Sequence, residues 1–247
     1  MIWLVKIYFN EIEQLYNKGA VEEMLKASHI IVADKILQDV QSQMNWRVNR
    51  TAYLFGSIAP DLNCIYPAHS ITATIKRFRK KLNRVNKSES TIIKSFTLGV
   101  IMHYICDYFC YAHNRRMPDP KHSIYERLLK KHIKNHEEQL GNVPDSLINQ
   151  WNEIKIHVTE EFSQDSNQDV DEIIKNICSN SSDHINYILD IVAAMHDTYM
   201  AETNSIKDNV WYKSTAKISL DMEYTTFMCE KIAMLLFNPN GELKAVA

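Results

Sequence analysis

The sequence predicts an all-α protein, a single multi-helix bundle, from three observations. The 247-residue chain contains only five Gly and six Pro, so few residues interrupt regular structure. Apolar residues recur at helical spacing in nearly every segment, and we find no strand-like alternation. With 45% hydrophobic residues the chain can bury one sizeable core, so residues 1–247 are predicted to form one domain.

Each predicted helix in the first half of the chain rests on its own signal. An amphipathic pattern of apolar residues begins at Ile2, and Ser28 can cap the second helix. Lys and Arg crowd together on the fourth helix, which is predicted to be basic over residues 76–84. The segment from Ser90 to Tyr111 is apolar on most faces, which is typical of a central helix in a bundle. The predicted helices cover about 1–16, 29–43, 47–57, 70–83 and 90–111.

The second half of the chain is also predicted to be helical. A charged amphipathic helix runs to about Leu140, where Gly141 can provide the C-cap. The stretch NSSD at 180–183 is a candidate interruption of a long helix, and the tail 238–247 is predicted to be loose. The three helices after Gly141 are predicted at about 145–162, 169–202 and 208–236.

The overall composition excludes several classes of protein. A formal net charge of −2 does not suggest a partner such as duplex nucleic acid. Five cysteines without a CxxC pair indicate reduced thiols and not a thiolate zinc finger. The apolar run at the start is too short for a membrane span and lacks the basic region and cleavage site of a signal peptide. We therefore predict a cytoplasmic protein.

Two helical pairs at a spacing of four residues are candidates for metal binding. His103 and Asp107 project from one helix face and can reach one ion, although a buried His–Asp hydrogen bond has the same spacing. His122 and Glu126 repeat this spacing on the next helix, and His113 lies between the two pairs.

A competing pair, His132 and His136, lies among charged residues that are typical of a solvated face. We favour His122 and Glu126 because they are nearer the predicted loop at 115–120.

Three earlier residues complete the candidate set. Asp61 and His69 lie in a predicted irregular loop that Gly56, Pro60 and Pro67 define. Taken alone, Asp61 is explained as a turn residue, since Asp after Pro is common in turns. Taken alone, His29 is explained as a histidine at the start of a helix, which is a common position. Together, imidazoles and carboxylates without thiolates suit catalytic zinc better than structural zinc. A shared metal cluster also removes the cost of burying these polar groups one by one.

Five parts of the sequence resemble the zinc-dependent phospholipase C family, which includes small bacterial phosphatidylcholine-hydrolysing enzymes and the catalytic domain of clostridial alpha-toxin. The matching parts are SHIIVA, FGSIAPD, His69, LGVIMHYICDYFCYAHN and HSIYE, within residues 28–126. The resemblance implies an all-α bundle of the phospholipase C and zinc nuclease type. It also implies a hydrolase that cleaves a phosphodiester with a metal-activated water.

The resemblance also implies a role for each candidate residue. In that family two zinc ions are bound, and a third is completed by an N-terminal tryptophan that signal cleavage exposes. Here Trp3 follows no cleavage signal, and we interpret it as a core aromatic residue. Asp61 is the implied proton acceptor. The implied ligands are Asp61, His69, His103 and Asp107 for the first zinc, His113, His122 and Glu126 for the second, and His29 with bridging Asp107 for a third.

The leading functional hypothesis is a phospholipase C-like phosphodiesterase that acts on a phospholipid or a small phosphoester. The basic helix at 76–84 can approach anionic lipid, or it can simply be a solvated face. One alternative is a single-strand-type zinc nuclease, which needs an aromatic pocket for a base. Another alternative is a metal-stabilised binding or regulatory protein without turnover. The aromatic candidates for base stacking are Tyr104, Tyr108, Phe109 and Tyr111.

Overall fold

Helices make up every regular element of the part of the chain that the structure, a computed structural model, describes. The predicted all-α fold is therefore confirmed. The predicted first helix at 1–16, Trp3, His69 and the tail 238–247 lie outside the described residues. The described residues are 27–41, 47–62, 70–115, 119–163, 170–208 and 210–237.

Eleven α-helices occur in the described ranges, together with two short 3-10 helices at Glu137–Gln139 and Trp211–Lys213. The α-helices are α1 (Ala27–Val40), α2 (Arg50–Gly56), α3 (Ala59–Leu62), α4 (Ile71–Lys87), α5 (Thr91–Tyr108), α6 (Tyr111–Asn114), α7 (Asp119–Asn135), α8 (Asp145–Glu161), α9 (Val170–Ser179), α10 (Ser181–Ser205) and α11 (Thr215–Phe237).

Helix α5 is the central element of the fold. It packs against α1, α2, α4 and α11, and every residue from Thr97 to Tyr108 is buried. A helix that is surrounded on all sides needs apolar residues on all its faces, which explains the continuous apolar sequence. The polar residues His103 and Asp107 of this segment are therefore placed inside the fold.

Two glycines allow α2 and α5 to cross in backbone contact. A Cβ atom on Gly99 would overlap the carbonyl oxygen of Tyr53, and a Cβ atom on Gly56 would overlap that of Phe96. Only glycine leaves enough room for such an approach. The crossing brings the carbonyl group of Ser57, at the end of α2, against the ring of His103 on α5.

The segment after Gly56 differs from the predicted irregular loop. Residues Ala59–Leu62 form α3, so Asp61 lies on a short helix. Pro60 is compatible with this helix because the first turn does not need its missing N–H group. The prediction was wrong for residues 59–62, because a Pro in the first turn is as compatible with a short helix as with a loop. Pro67 lies outside the described residues.

Two further predicted boundaries change in the structure. The predicted helix over 90–111 ends at Tyr108, and α6 begins at Tyr111 after a break. The charged helix that was predicted to reach Leu140 ends at Asn135, and a 3-10 helix precedes Gly141, whose φ is 99°. The interruption predicted at 180–183 is present, since α10 begins at Ser181 directly after α9 ends.

The longest described helices are α10 and α11, with 25 and 23 residues. Acidic or basic side chains interrupt the apolar residues of both helices. Within the described ranges no helix combines the length and the apolar character that a membrane crossing requires. The cytoplasmic location stays a prediction.

Candidate metal centre

Seven of the eight predicted metal-binding residues lie together: six line one cavity of about 280 Å³, and His103 contacts two of these six, Asp61 and Asp107. Helices α1, α3, α5, α6 and α7 each contribute at least one of these residues. The eighth residue, His69, lies outside the described part of the chain. The seven residues are His29, Asp61, His103, Asp107, His113, His122 and Glu126.

His29, Asp61 and His103 form a first group of donors. One possible ligand atom of each lies within 4.8 Å of those of the others. The two oxygens of Asp61 are 3.9 Å from His29 Nε2 and 3.6 Å from His103 Nε2. The resemblance assigns His29 to a third ion, but here His29 shares the first group, with its ring centroid 4.4 Å from that of His103.

A backbone hydrogen bond fixes the ring of His103 in this group. Its Nδ1–H donates to the carbonyl oxygen of Ser57 at 2.9 Å. In the neutral ring, Nε2 then carries the lone pair, and Nε2 faces the carboxylates of Asp107 and Asp61. Histidine ligands of metal ions are held in this way, with the second ring nitrogen bonded to a carbonyl group.

His113, His122 and Glu126 form a second group of donors, again with ligand atoms within 4.8 Å of one another. Glu126 Oε1 lies 2.7 Å from His122 Nε2 and 3.5 Å from His113 Nε2. The spacing of four residues on α7 places His122 and Glu126 on one helix face, as predicted. His113 comes to them from α6.

Asp107 lies between the two groups and is fully buried. Its Oδ2 is 3.1 Å from His103 Nε2, and its Oδ1 is 3.6 Å from His29 Nε2 and 3.4 Å from His113 Nε2. One carboxylate therefore contacts imidazoles of both groups. This geometry is what a carboxylate shared between neighbouring ions requires.

The break between α5 and α6 is needed for this arrangement. In a continuous helix, six residues rotate a side chain by about 600°, which would place His113 roughly 120° away from Asp107. Instead, the Asn114 amide group donates to the carbonyl oxygens of Tyr108 and Cys110 at 2.8 and 3.0 Å, which stabilises the break. His196 in turn lies 3.0 Å from Asn114 Oδ1, so this later histidine supports the site from α10.

The electrostatics of the cavity favour a cation. Burial lowers the pKa of His103, but the carboxylates of Asp107 and Asp61 outweigh it, so the pKa is raised above 6.5. The pKa of His29 is also raised: burial and His103 lower it, whereas Cys106 and Asp61 raise it more strongly. Burial raises the pKa of Glu126, but the hydrogen bond with His122 and other histidines lower it overall. The three carboxylates thus attract positive charge, which either protons or a metal ion can supply.

The competing pair of histidines lies elsewhere. The rings of His132 and His136 are tilted against each other with centroids 4.1 Å apart, and both line a different cavity, together with Ser219 and Glu223. His132 Nε2 lies 3.2 Å from the hydroxyl group of Ser219. The structure therefore groups His113 with His122 and Glu126, the pair that the sequence analysis favours.

The contribution of α11 to the cavity wall was not predicted from the sequence. Asp221, Met222 and Thr225 all line the cavity, although they are far from the motif in sequence. The available signal was an acidic residue inside the apolar stretch ISLDMEY, and Asp221 is indeed buried. Tertiary packing decides whether Asp221 is buried and which groups surround it, so the sequence alone could not show either.

Two cysteines also line the cavity, one on α5 and one just after the end of α5. Cys106 and Cys110 line the wall and are buried, free cysteines. A hydrogen bond with Cys229 and burial raise the pKa of Cys106, and burial raises that of Cys110. Both are therefore thiols near neutral pH, and thiols are poor metal ligands.

The donor set fits zinc. Four imidazoles and three carboxylates converge from five helices, and His103 is oriented as metal-bound histidines are. Fold and cavity together define an all-α candidate metalloprotein. The sequence profile described as zinc-dependent phospholipase C matches residues 28–188, and the chain belongs to this family. No curated protein and no solved structure matches the chain significantly.

Proposed function

We propose that the protein is a phospholipase C-type hydrolase that uses zinc to cleave the phosphodiester bond of a phospholipid or of a related phosphoester. The main support for this proposal is the position of Asp107. Its two oxygens lie 3.1–3.6 Å from imidazoles of both donor groups, so the cavity can hold neighbouring ions around one carboxylate. Neighbouring divalent ions are the usual arrangement for phosphodiester hydrolysis.

The residues of the chain have separate roles in this proposal. Zinc held at the site would supply Lewis-acid chemistry for a water nucleophile and for the charge of the phosphoryl oxygens. His103, fixed by Ser57, and Asp107 orient the centre. Asp61 is the proposed proton acceptor, because its side chain lines the cavity and is 23% exposed, so it can exchange a proton with water.

The cavity wall favours a substrate with an apolar part. Val32, Leu129, Ile133 and Met222 line the cavity beside the donor groups. The apolar part of a phospholipid next to its phosphate suits such a wall. The proposal that the substrate is a phospholipid rests on this combination of donors and apolar side chains.

The nuclease alternative has less support. Among the described residues that line the cavity, none is Phe, Tyr or Trp, and the imidazole rings there belong to the proposed metal ligands. The four aromatic candidates from the sequence are in the core, each 4% exposed or less. These residues are Tyr104, Tyr108, Phe109 and Tyr111.

A pair of histidine variants on α7 tests the proposal. His122→Ala removes a proposed ligand, whereas His132→Ala removes a histidine of the same helix that lies outside the site. Metal content is measured by elemental analysis. Hydrolysis is measured as release of the phosphorylated head group from phosphatidylcholine vesicles and as digestion of single-stranded DNA. We expect zinc and head-group release in the unsubstituted protein and in His132→Ala. In His122→Ala we expect a loss of zinc from the second donor group and a loss of head-group release.

Other outcomes distinguish the alternatives. Digestion of DNA without head-group release would replace the proposal with a nuclease. Stoichiometric zinc without hydrolysis of any phosphoester in a panel would indicate a metal-stabilised binding protein. Equal zinc content and activity in the two variants would remove the second donor group from the proposal.

A further inference from the structure

The Asp221 side chain is a buried carboxylate with three strong hydrogen bonds. It is 1% exposed on α11. Its Oδ2 accepts from the backbone N–H of Tyr111 at 3.0 Å and from the hydroxyl group of Tyr125 at 2.7 Å. Its Oδ1 accepts from the hydroxyl group of Tyr199 at 2.6 Å. All three distances lie within the range of well-formed hydrogen bonds.

Two of these three bonds reach the elements that carry the second donor group. Tyr111 begins α6, two residues before His113, and Tyr125 directly precedes Glu126 on α7. The third bond goes to Tyr199 on α10, which contributes no donor to the site. A single side chain of α11 therefore joins α6 to α7 next to the two donors.

The surroundings of Asp221 hold it in place. Tyr111, Tyr125 and Ile218 belong to a small apolar cluster that is separate from the main core. The ammonium group of Lys217 lies 4.5 Å from the centroid of the Tyr111 ring and donates to the carbonyl oxygens of Thr203 and Ile206. A carboxylate whose oxygens are occupied by three donors in a packed cluster is suited to holding other groups in position.

We propose that Asp221 is a positioning residue for the second donor group: it fixes His113 relative to Glu126 through Tyr111 and Tyr125. This inference rests on the proposed zinc dependence of the site. His113 Nε2 and Glu126 Oε1 are 3.5 Å apart and belong to different helices, α6 and α7. Ligand atoms on two separate helices stay at a fixed separation only if supporting contacts hold the helices together.

Two tyrosines provide a matched pair of variants. Tyr125→Phe and Tyr199→Phe each remove one hydroxyl group that donates to Asp221, and both rings are fully buried. Both variants lose a similar hydrogen bond, so they should lose similar thermal stability. Only Tyr125→Phe removes the link to the helix of Glu126.

The readout is zinc affinity, measured by competition with a chromogenic chelator, beside the melting temperature. We expect Tyr125→Phe to bind one zinc equivalent about 10-fold or more weakly, as is typical for loss of a group that orients a ligand. Tyr199→Phe should keep the affinity of the unsubstituted protein. Asp221→Asn, which keeps the shape but not the charge, should weaken the same equivalent.

Double variants identify which ion is affected. Added to His122→Ala, which already disrupts the second group, Tyr125→Phe should cost no further zinc. Added to His103→Ala, which disrupts the first group, Tyr125→Phe should still weaken the remaining zinc. Additional loss in the His122→Ala background would contradict the assignment to the second group.

The outcomes separate this inference from the proposed function. Equal zinc affinities of Tyr125→Phe and Tyr199→Phe would overturn the positioning role alone. An unsubstituted protein that binds zinc but hydrolyses nothing would overturn the proposed function, and the comparison of the two tyrosines would still decide the role of Asp221. An unsubstituted protein that binds no zinc would overturn both.

Discussion

The ring of His103 donates from Nδ1 to the carbonyl oxygen of Ser57 at 2.9 Å, and this bond couples helix packing to the metal centre. Ser57 follows α2 directly, and α2 lies against α5 in backbone contact at Gly56 and Gly99. The orientation of a proposed ligand therefore depends on two glycines that are not part of the site.

We predict that Gly99→Ala weakens zinc binding as well as stability. The added methyl group would overlap the carbonyl oxygen of Tyr53, so α2 must move away from α5 and the bond between Ser57 and His103 lengthens. Loss of such an orienting bond typically costs about 10–100-fold in metal affinity. The measurement is zinc affinity by chelator competition, beside the melting temperature.

Gly141→Ala is the control for this variant. Gly141 has φ of 99°, so alanine there is strained, but its Cβ would meet only the side chains of Asp39 and Lys35 at ordinary distance. We expect it to lower the melting temperature and to leave zinc affinity unchanged. If Gly99→Ala kept full zinc affinity at a lowered melting temperature, the proposed coupling would be wrong.

Asp107→Asn should remove zinc from both donor groups. The amide keeps the size of the side chain, but it loses the charge that Asp107 presents to imidazoles of both groups. Because loss of even an outer partner costs about 10–100-fold, we expect hydrolysis to fall by more than about 100-fold. Elemental analysis and the head-group assay check this, with the exposed Asp190→Asn as the control. Retention of two zinc equivalents would contradict the shared role.

The raised pKa values predict a pH dependence of the metal-free protein. For His29 and His103, whose pKa values lie above 6.5, the stability they contribute is full below pH 6.5 and is lost as pH rises through the folded pKa. Burial raises the pKa of Asp221 from 3.8 to about 7, so its contribution also declines as pH rises to 7. The melting temperature of the metal-free protein should therefore fall between pH 6 and pH 8.

Zinc should reverse this trend. Imidazole binds a metal ion only when it is deprotonated, so zinc and protons compete for His29 and His103. The rise in melting temperature on adding zinc should thus be larger at pH 8 than at pH 6. Scanning calorimetry with and without zinc measures both quantities. A zinc effect that is larger at pH 6 would show that these histidines are not the competing groups.

Local patterns were sufficient to predict most of the described helices and two candidate pairs of donors on them. His103 with Asp107, and His122 with Glu126, are separated by four residues, and this spacing alone predicts a common helix face. The continuous apolar sequence of α5 likewise predicted its central position. These features depend on residues that are close together along the chain. They can therefore be inferred from a single sequence.

Features that depend on distant contacts were not predictable in this way. The break that returns His113 to Asp107 is stabilised by Asn114, which itself contacts His196 on α10. Asp221 lies more than one hundred residues from Tyr111, its backbone partner. No periodicity relates such residues, because tertiary packing alone decides which of them meet.

The basic helix α4 gives a final prediction, which concerns lipid surfaces. Phe78 and Leu82 are buried, whereas Lys76, Lys80 and Arg84 lie on the exposed side. Each basic residue near an anionic membrane contributes on the order of 1 kcal/mol, so replacing all three with Gln should weaken binding to phosphatidylserine vesicles by about 100-fold. Vesicle co-sedimentation at low and high salt measures this effect, which salt should reduce.

The control replaces Lys131, Lys175 and Lys207, which are also exposed but lie on three different segments of the chain. If both triple variants bind these vesicles equally, α4 is a solvated face and the membrane contact is not made there.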